Sequence, residues 1–166
     1  MSPRAPRQRA FVGIGANLGD APGTVRAALQ ALGGLPLTQC SACSSLYRSA
    51  PIDAGGPDYV NAVAELHTAL APHALLRRLL ALEASFGRER SVRNAPRTLD
   101  LDLLLHGEQV LHDAELTLPH PRLHLRGFVL RPLAELDAAL VLPGLGPLAP
   151  WLQRAAPQPV QRIAAA

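Results

Sequence analysis

The chain has 166 residues, of which 48% are hydrophobic and 17% are charged, and this composition excludes a wholly disordered protein. Its formal net charge is +3, and all 16 basic residues are arginine. Since a Walker A phosphate-binding loop requires a lysine, that kind of nucleotide site is excluded, and arginine would have to bind any phosphate groups.

Nothing in the sequence predicts a membrane segment or a secretory leader. No apolar run approaches the roughly 20 residues of a transmembrane helix. The stretch "FVGIGANLG" is too short and too rich in glycine for the apolar region of a signal peptide. We therefore expect a soluble cytoplasmic protein with a flexible basic arm over residues 1–9, one folded domain over residues 10–145, and a C-terminal tail over residues 146–166 that packs on this domain or trails from it.

The first predicted elements are a strand, a helix and a second strand. "AFVGIGAN" has the pattern of the first strand, and "DAPGTVRAALQALGG" that of the helix, with Asp20 as its N-cap and Gly33–Gly34 as its end. "LTQCSACSSLYRS" is predicted to be the second strand. Within it, Cys40 and Cys43 form a CxxC pair whose odd spacing would place the side chains on opposite faces. We therefore interpret both cysteines as structural rather than as a redox or metal site.

A loop, a third strand and a second helix follow. "APIDAGGPD" is predicted to be a loop from its Pro and Gly content, and "YVNAVAELHT" alternates as a strand does. "PHALLRRLLALEASFG" has helical spacing, and its predicted buried stripe consists of Leu75, Leu76, Leu79, Leu80 and Leu82. After an arginine-rich loop come a leucine-rich strand, a turn at His106–Gly107 and a short strand "EQVLH". This order of elements predicts an α+β fold, a ferredoxin-like sandwich with an antiparallel sheet.

The leucine-rich strand carries two aspartates. Asp100 and Asp102 lie two residues apart, so they share one face of a strand at a backbone separation of about 7 Å. The opposite face is predicted to hold Leu99, Leu101, Leu103 and Leu105. Two carboxylates this close raise each other's pKa unless a cation binds between them. A Mg²⁺ site for a nucleotide is one interpretation; a solvated edge of the sheet, or salt bridges to nearby arginines, are the alternatives.

Arginines lie close to these aspartates in the sequence. Arg88, Arg90 and Arg93 lie in the preceding loop, and Arg97 lies three residues before Asp100. Beside a metal site, such arginines could neutralise a triphosphate and stabilise the charge that develops during phosphoryl transfer. We expect the loop to be mobile and to close over phosphate groups, although an ordinary solvated face is the alternative.

Aromatic residues make up only 4% of the chain, and two of them are candidates for ligand binding. Tyr59 shares a predicted strand face with Asn61, and Phe128 follows the "RG" pair of the last third. Two aromatic rings and an amide could bind a flat heterocycle, while ordinary core packing is the alternative for each ring. His120 lies between prolines in "LPHPRLHLRG" and could equally be a surface histidine.

Six segments together resemble one family. "RNAPRTLDLDLLLHG" and "LPHPRLHLRGFVLRPLAEL" are similar to the signature region of 6-hydroxymethyl-7,8-dihydropterin pyrophosphokinases, enzymes of folate biosynthesis. "GIGANLGD", "YRSAPI", "PDYVNAV" and "LEASFGRER" match the same pattern in order and at suitable distances. The resemblance covers about residues 10–145, and it implies that this range is a pyrophosphokinase domain with the ferredoxin-like fold.

This resemblance implies a specific reaction. Family members transfer the β,γ-pyrophosphoryl group of ATP to the pterin hydroxymethyl oxygen and release AMP, with two Mg²⁺ ions on the triphosphate. It implies Asp100 and Asp102 as the metal ligands, and a monomer that acts on small molecules. Tyr59 and Phe128 would stack on the pterin, and Asn61 would bind the edge of its ring. The full set implied at the pterin is Ile52, Tyr59, Asn61 and Phe128.

The same resemblance implies an ATP site and leaves the general base open. The residues implied at ATP are Glu83, Arg88, Arg97, His120 and Arg126. Arg88 and Arg97 would also assist the transfer as catalytic residues, and our hypothesis for the base is Asp102 or a metal-bound water. Two positions depart from the family pattern, since some relatives carry a tryptophan where this chain has Asn94 and a tyrosine where it has Pro121.

Two other classes agree less well with the sequence. A D-x-D glycosyltransferase is usually much longer and needs a nucleotide-binding α/β unit for which this chain has no room. A nucleic-acid-binding ferredoxin-like module carries aromatic residues within basic strand motifs. Here the corresponding strand carries two acids, so we expect neither nucleic acid nor a membrane as a partner.

Overall fold

A computed structural model describes residues 6–51, 56–87 and 99–166 of the chain. In chain order the elements are β1 (Gln8–Ala16), α1 (Ala21–Leu32), β2 (Thr38–Cys43), β3 (Leu46–Ser49), β4 (Tyr59–Thr68), α2 (Pro72–Gly87), β5 (Asp100–His106), β6 (Leu111–His112), β7 (Thr117–Leu118), α3 (Gly127–Leu136), β8 (Val141–Leu142), β9 (Gly146–Pro147), α4 (Leu148–Ala155) and β10 (Val160–Ala164). A turn of 3₁₀-helix at Leu123–Leu125 precedes α3.

Six strands of the described ranges form the main sheet. Its order is β10–β3–β4–β1–β5, and β2 pairs with the remaining part of β4. Each of these pairings is antiparallel. In the pair of β1 and β4, the register runs from Gln8 opposite Thr68 to Ala16 opposite Val60. The predicted α+β fold with an antiparallel sheet is confirmed.

Helices cover both faces of this sheet. Because alternate side chains of a strand face opposite sides, β1 contributes to two separate cores. Val12 and Ile14 pack in the first core with α1 and α2, whereas Phe11 packs in the second core with α3 and α4. No helix of the described residues has both the length and the apolar character needed to cross a membrane.

Both predicted helices are present, with one error in the predicted buried stripe. Asp20 accepts a hydrogen bond from the Gly23 N–H at 3.1 Å, which confirms it as the N-cap of α1. Leu75 and Leu79 of α2 are fully buried, but the side chain of Leu80 is 52% exposed. Neighbouring residues of a helix are rotated by about 100°, so Leu80 faces solvent when Leu79 faces the core.

The predicted strand over residues 37–49 is two strands. β2 ends at Cys43 and β3 begins at Leu46. Between them, the Ser44 N–H donates to the Val63 carbonyl at 2.9 Å, and Ser44 Oγ accepts from the Val63 N–H at 2.9 Å. This interruption allows β4 to pair with β2 along one half and with β3 along the other.

A β-bulge in β5 changes which leucines share a face. Phe11 of β1 lies opposite Leu105, whereas Val12 lies opposite Leu103, so Leu104 is an extra residue in the register. Leu105 therefore packs with Phe11 in the second core. Its predicted place on the face of Leu103 was wrong, because a bulge reverses the alternation beyond it.

A second bulge brings the two cysteines to one face. Cys40 lies opposite Leu66 and Cys43 lies opposite Ala64, with the register shift between them. Since Leu66 and Ala64 are two residues apart on β4, both cysteines face the same side, and the predicted opposite orientation was wrong. Both are free thiols, and burial raises the pKa of the Cys40 thiol.

The C-terminal part of the chain extends the main sheet. After α4, strand β10 pairs with β3, and Val160 lies opposite Ser49. β3 is thereby enclosed between β4 and β10. The short strand predicted over residues 108–112 is limited to Leu111–His112.

Candidate active site

One cavity contains most of the predicted site residues that lie in the described ranges. It has a volume of about 380 Å³, and its lining includes the N-terminal ends of β4 and β5 and the start of α3. The predicted residues in its lining are Tyr59, Asn61, Asp100, Asp102, Arg126 and Phe128. Since they come from three separate elements, only the folded chain brings them together.

Two glycines of β1 form the floor of this cavity. Gly13 lies opposite Asp102 and Gly15 lies opposite Asp100 in the β1–β5 register. Gly15 also lies opposite Asn61 of β4. A Cβ on Gly15 would lie 3.3 Å from Asn61 Nδ2. Gly15 therefore leaves space beside the Asn61 amide, whereas a Cβ on Gly13 would meet the Leu104 side chain at 3.5 Å.

The two aspartates share the cavity face of β5. Leu101, between them, is 5% exposed and belongs to the first core, so the predicted alternation holds over this part of the strand. The side chain of Asp102 is 48% exposed and can therefore reach a ligand. The described residues contain no group of three or more His, Cys, Asp or Glu side chains that could hold a metal ion. Two carboxylates still fit Mg²⁺, which commonly takes one or two carboxylates together with water and substrate phosphate.

His120 lies beside the aspartate pair. Its Nε2 is 3.9 Å from Asp102 Oδ1, and its Nδ1 accepts a hydrogen bond from the Arg122 N–H at 3.1 Å. Burial lowers the pKa of the imidazole, the Asp102 carboxylate opposes this shift, and the Arg126 and Arg122 guanidinium groups add to it. A neutral imidazole whose Nδ1 accepts carries its proton on Nε2, on the side of Asp102.

Aromatic and amide groups line the other side of the cavity. Asn61 is 5% exposed, and Ser49 Oγ donates a hydrogen bond to its Oδ1 at 2.6 Å. This bond fixes the orientation of the amide. Arg126 Cζ lies 5.4 Å from the centroid of the Phe128 ring. Together with Tyr59, these groups suit a flat, polar heterocycle.

Besides His120, four of the predicted site residues are absent from the described lining of the cavity. Glu83 of α2 lies behind β5, where its Oε2 accepts a hydrogen bond from the Leu101 N–H at 2.7 Å. Glu83 therefore fixes the backbone between the two aspartates, and its role at ATP stays a prediction. Three further residues lie outside the described residues, and their roles also stay predictions: Ile52, Arg88 and Arg97. The same applies to the positions of Arg90, Arg93 and Asn94.

Among the lining residues that sequence reasoning missed, Gly13, Gly15 and Ser49 bear on the polar groups of the site. Gly13 and Gly15 carried a detectable signal, because two glycines two apart in a strand leave a gap on one face. Ser49 carried no local signal. Its contact with Asn61 arises only because β3 pairs with β4, with Ser49 opposite Tyr59.

Comparison with known proteins assigns this chain to a family. Residues 11–138 match the model of the family described as 7,8-dihydro-6-hydroxymethylpterin-pyrophosphokinase (HPPK). The chain belongs to the HPPK family. The matched range includes all of the predicted site residues, whereas β8, β9, α4 and β10 lie beyond it.

Bacterial relatives support membership of the HPPK family. A protein of Pseudomonas aeruginosa is 48% identical over 137 residues, which cover 82% of this chain and 85% of the relative. A protein of Synechocystis sp. is 42% identical over 137 residues, which cover 82% of this chain and 70% of the relative. Both are named 2-amino-4-hydroxy-6-hydroxymethyldihydropteridine pyrophosphokinase.

Solved structures share the HPPK fold at low sequence identity. A crystal structure of Plasmodium falciparum HPPK-DHPS with pteroate has a TM-score of 0.73 at 12% identity, and the match covers 92% of this chain and 41% of that chain. A crystal structure of HPPK-DHPS in complex with substrates has a TM-score of 0.71 at 11% identity, and the match covers 90% of this chain and 43% of that chain. The chain spans less than half the length of these solved chains, and the likeness shows a common fold.

Proposed function

We propose that this chain transfers the β,γ-diphosphoryl group of ATP to the hydroxymethyl oxygen of 6-hydroxymethyl-7,8-dihydropterin, which yields the pterin diphosphate and AMP in folate biosynthesis. One observation carries the proposal. A single cavity in an HPPK-family chain joins two carboxylates and a guanidinium group to two aromatic rings and a buried amide. The charged side suits a metal-bound triphosphate, and the aromatic side suits the pterin.

The aromatic side of the cavity would bind the pterin. Tyr59 and Phe128 offer ring faces for stacking, and aromatic faces bind flat heterocycles through dispersion and quadrupole interactions. Asn61 offers both a donor and an acceptor for the edge of the ring, and the bond from Ser49 holds this amide in one orientation. Ile52, which lies outside the described residues, is proposed to complete the pterin site.

The aspartate side would bind Mg²⁺, and we propose two ions. Asp100 and Asp102 would hold them, since both line the cavity above glycines that leave room for phosphate oxygens. When bound, Mg²⁺ neutralises the triphosphate and orients it for in-line displacement.

Hydrogen-bond donors on arginine and histidine side chains would position the phosphate groups. Arg126 lines the same cavity as the aspartates, beside Phe128, and can donate to a phosphate oxygen. His120, with its proton on Nε2, can donate to the same region. Arg88 and Arg97 are proposed to reach the transferred group from the segment between α2 and β5, as catalytic residues that stabilise developing charge.

The hydroxymethyl proton must leave as the new bond forms. The hydroxymethyl oxygen attacks the β-phosphorus, and the bond from this phosphorus to the α,β-bridging oxygen breaks, so AMP leaves. We propose that Asp102 accepts the proton, because its carboxylate lines the cavity and remains half-exposed.

We also propose that the protein is a cytoplasmic monomer that acts on small molecules, without nucleic acid or membrane as partners. A cavity that carries two acids on its sheet strand would repel the phosphate backbone of a nucleic acid.

The direct test is to follow nucleotides by phosphorus NMR during incubation of the protein with ATP, Mg²⁺ and 6-hydroxymethyl-7,8-dihydropterin. AMP that forms together with pterin diphosphate, and only when the pterin is present, is the expected result. Formation of ADP would instead indicate a kinase that transfers one phosphate. Absence of turnover by the folded protein would contradict the proposal.

A further inference from the structure

The C-terminal segment lies against the start of α3, although it is outside the range that matches the family model. The match ends at residue 138, whereas this segment consists of Gln158 and strand β10. β10 pairs with β3, and Arg131 of α3 donates a hydrogen bond to the Val160 carbonyl. The segment is therefore part of the folded unit that carries the cavity.

Gln158 bridges the two residues on either side of Arg126. Its Nε2 donates to the Leu125 carbonyl at 2.8 Å, and its Oε1 accepts from the Gly127 N–H at 2.8 Å. The first N–H groups of a helix have no partner within the helix. Arg126, the N-cap of α3, makes no capping bond with its side chain. Gln158 therefore supplies the cap from a distant part of the chain.

The approach of Gln158 depends on a glycine. A Cβ on Gly127 would lie 3.3 Å from Gln158 Oε1 and 3.3 Å from Val160 Cγ2. Contacts at this distance are tighter than most real Cβ contacts, so a larger residue at Gly127 would require the amide to shift by a few tenths of an ångström. Gly127 gives the Gln158 amide room to approach, and the amide holds the backbone at the start of α3 through its two hydrogen bonds.

The residues on either side of Gly127 are both in the cavity lining. Arg126 precedes it and Phe128 follows it, and the two side chains contact each other across 5.4 Å from Cζ to ring centroid. The backbone at this point sets where both side chains lie. We infer that Gln158 is a positioning residue, which fixes the turn that presents Arg126 to an anionic phosphate group and Phe128 to an aromatic heterocycle.

This inference rests on the proposed function, and full-length variants can test it. Gln158→Ala removes both bonds, and Gln158→Glu keeps the acceptor for the Gly127 N–H but loses the donor to the Leu125 carbonyl. Gln161→Ala is the matched control, because Gln161 is an exposed glutamine of the same segment. Steady-state kinetics with both substrates, calorimetric binding of the pterin and thermal unfolding would be measured for each protein.

We expect Gln158→Ala to raise KM for ATP and for the pterin by about tenfold, with a smaller change in kcat. Gln158→Glu should give an intermediate change, and Gln161→Ala should stay within about twofold of the wild type. In an Arg126→Ala background, Gln158→Ala should raise KM for ATP much less, since its effect acts through Arg126. If Gln158→Ala does not fold, Gln158→Glu carries the same comparison.

Other results would overturn the inference. Wild-type KM values and wild-type pterin affinity in Gln158→Ala, with only a lower unfolding temperature, would show a structural role alone. If Gln158→Ala raises KM for ATP by the same factor in the wild-type and Arg126→Ala backgrounds, Gln158 does not act through Arg126, and the inference is overturned. A wild-type protein that neither turns over nor binds the pterin would contradict the proposed function as well, so the two failures are distinguishable.

Discussion

Two glycines give the two aspartates their access to the cavity. Gly13 and Gly15 lie opposite Asp102 and Asp100 on the neighbouring strand. Because glycine carries no side chain, neither position places a side chain beside the aspartate on the neighbouring strand. Like charges at this separation repel, so a bound divalent cation would relieve the repulsion as well as bind substrate.

Replacement of either aspartate by asparagine should abolish most of the activity. We expect Asp100→Asn and Asp102→Asn each to lower kcat by about a hundredfold or more, because a ligand charge for the metal is lost. Thermal stability should be unchanged or slightly higher, since charge repulsion is reduced. The control for activity is Asp113→Asn, because Asp113 lies in an exposed surface turn outside the cavity lining. Full activity of both variants at limiting Mg²⁺ would contradict the assignment of the metal site.

Replacement of Gly15 by alanine should affect pterin binding more than ATP binding. A Cβ at this position would lie 3.3 Å from Asn61 Nδ2, so the amide must move by a few tenths of an ångström. We expect Gly15→Ala to raise KM for the pterin about tenfold and to change KM for ATP much less. Gly34→Ala provides a control, because its Cβ would meet only the Ala31 carbonyl at 3.5 Å. Equal effects on both substrates would argue against Asn61 as a pterin residue.

At the scale of secondary-structure elements, one carboxylate joins α3 to β3. Glu135 accepts hydrogen bonds from the Ser45 N–H at 3.0 Å, from Ser45 Oγ at 2.8 Å and from the Tyr47 hydroxyl at 2.7 Å. Burial alone would raise the pKa of the Glu135 carboxyl, but the bonds from Tyr47 and Ser45 lower it overall. Burial, together with the bond to Glu135, raises the pKa of Tyr47 to about 12.

These shifts predict how the clasp of Glu135, Ser45 and Tyr47 responds to pH. A carboxyl whose pKa is lowered by folding stabilises the protein above its ordinary value of 4.5, and this contribution is lost as pH falls through the lower native value. We expect Glu135→Gln to lower the free energy of unfolding by roughly 1 kcal/mol or less at pH 7, because Glu135 is exposed and solvent screens its charge. Below pH 4.5, the stabilities of variant and wild type should converge.

Urea unfolding of wild type and Glu135→Gln across this pH range would check the prediction. Glu108→Gln is the control, because Glu108 is exposed like Glu135 but, among the described residues, its side chain makes no hydrogen bond or ion pair. A stability difference between wild type and Glu135→Gln that stays constant from pH 7 to well below 4.5 would show that the carboxylate charge does not stabilise the clasp.

The alternation of side chains along a regular strand predicts the faces of the β5 residues correctly only as far as the bulge at Leu104. Asp100, Leu101 and Asp102 have the faces that a regular strand predicts, whereas Leu105 does not, because the extra residue Leu104 shifts the register. The sequence "LDLLLH" contains leucines on both sides of this point, so no polar residue reveals the change of face. A bulge of this kind depends on the pairing with β1, which local sequence does not specify.

At the scale of the whole molecule, the order of elements up to β5 was predictable from the sequence. The packing of α3 and α4 on the second face of the main sheet was not. The strong periodicity of α1 and α2 and the turn residues between strands indicate the first layer and the sheet. β10 is short, with the sequence VQRIA, and it is a strand because β3 offers it an unpaired edge. Residues of the cavity lining were predictable where a family motif names them, whereas the contacts of Ser49 and Gln158 arise only from tertiary pairing.

The most direct test of the whole account is a crystal structure of the protein with a non-hydrolysable ATP analogue, Mg²⁺ and 6-hydroxymethyl-7,8-dihydropterin. We predict the pterin ring between Tyr59 and Phe128 with its edge on Asn61, and Mg²⁺ at about 2.1 Å from carboxylate oxygens of Asp100 and Asp102. The hydroxymethyl oxygen should lie in line with the β-phosphorus. A pterin or a metal bound outside this cavity, with the cavity left to solvent, would contradict the account.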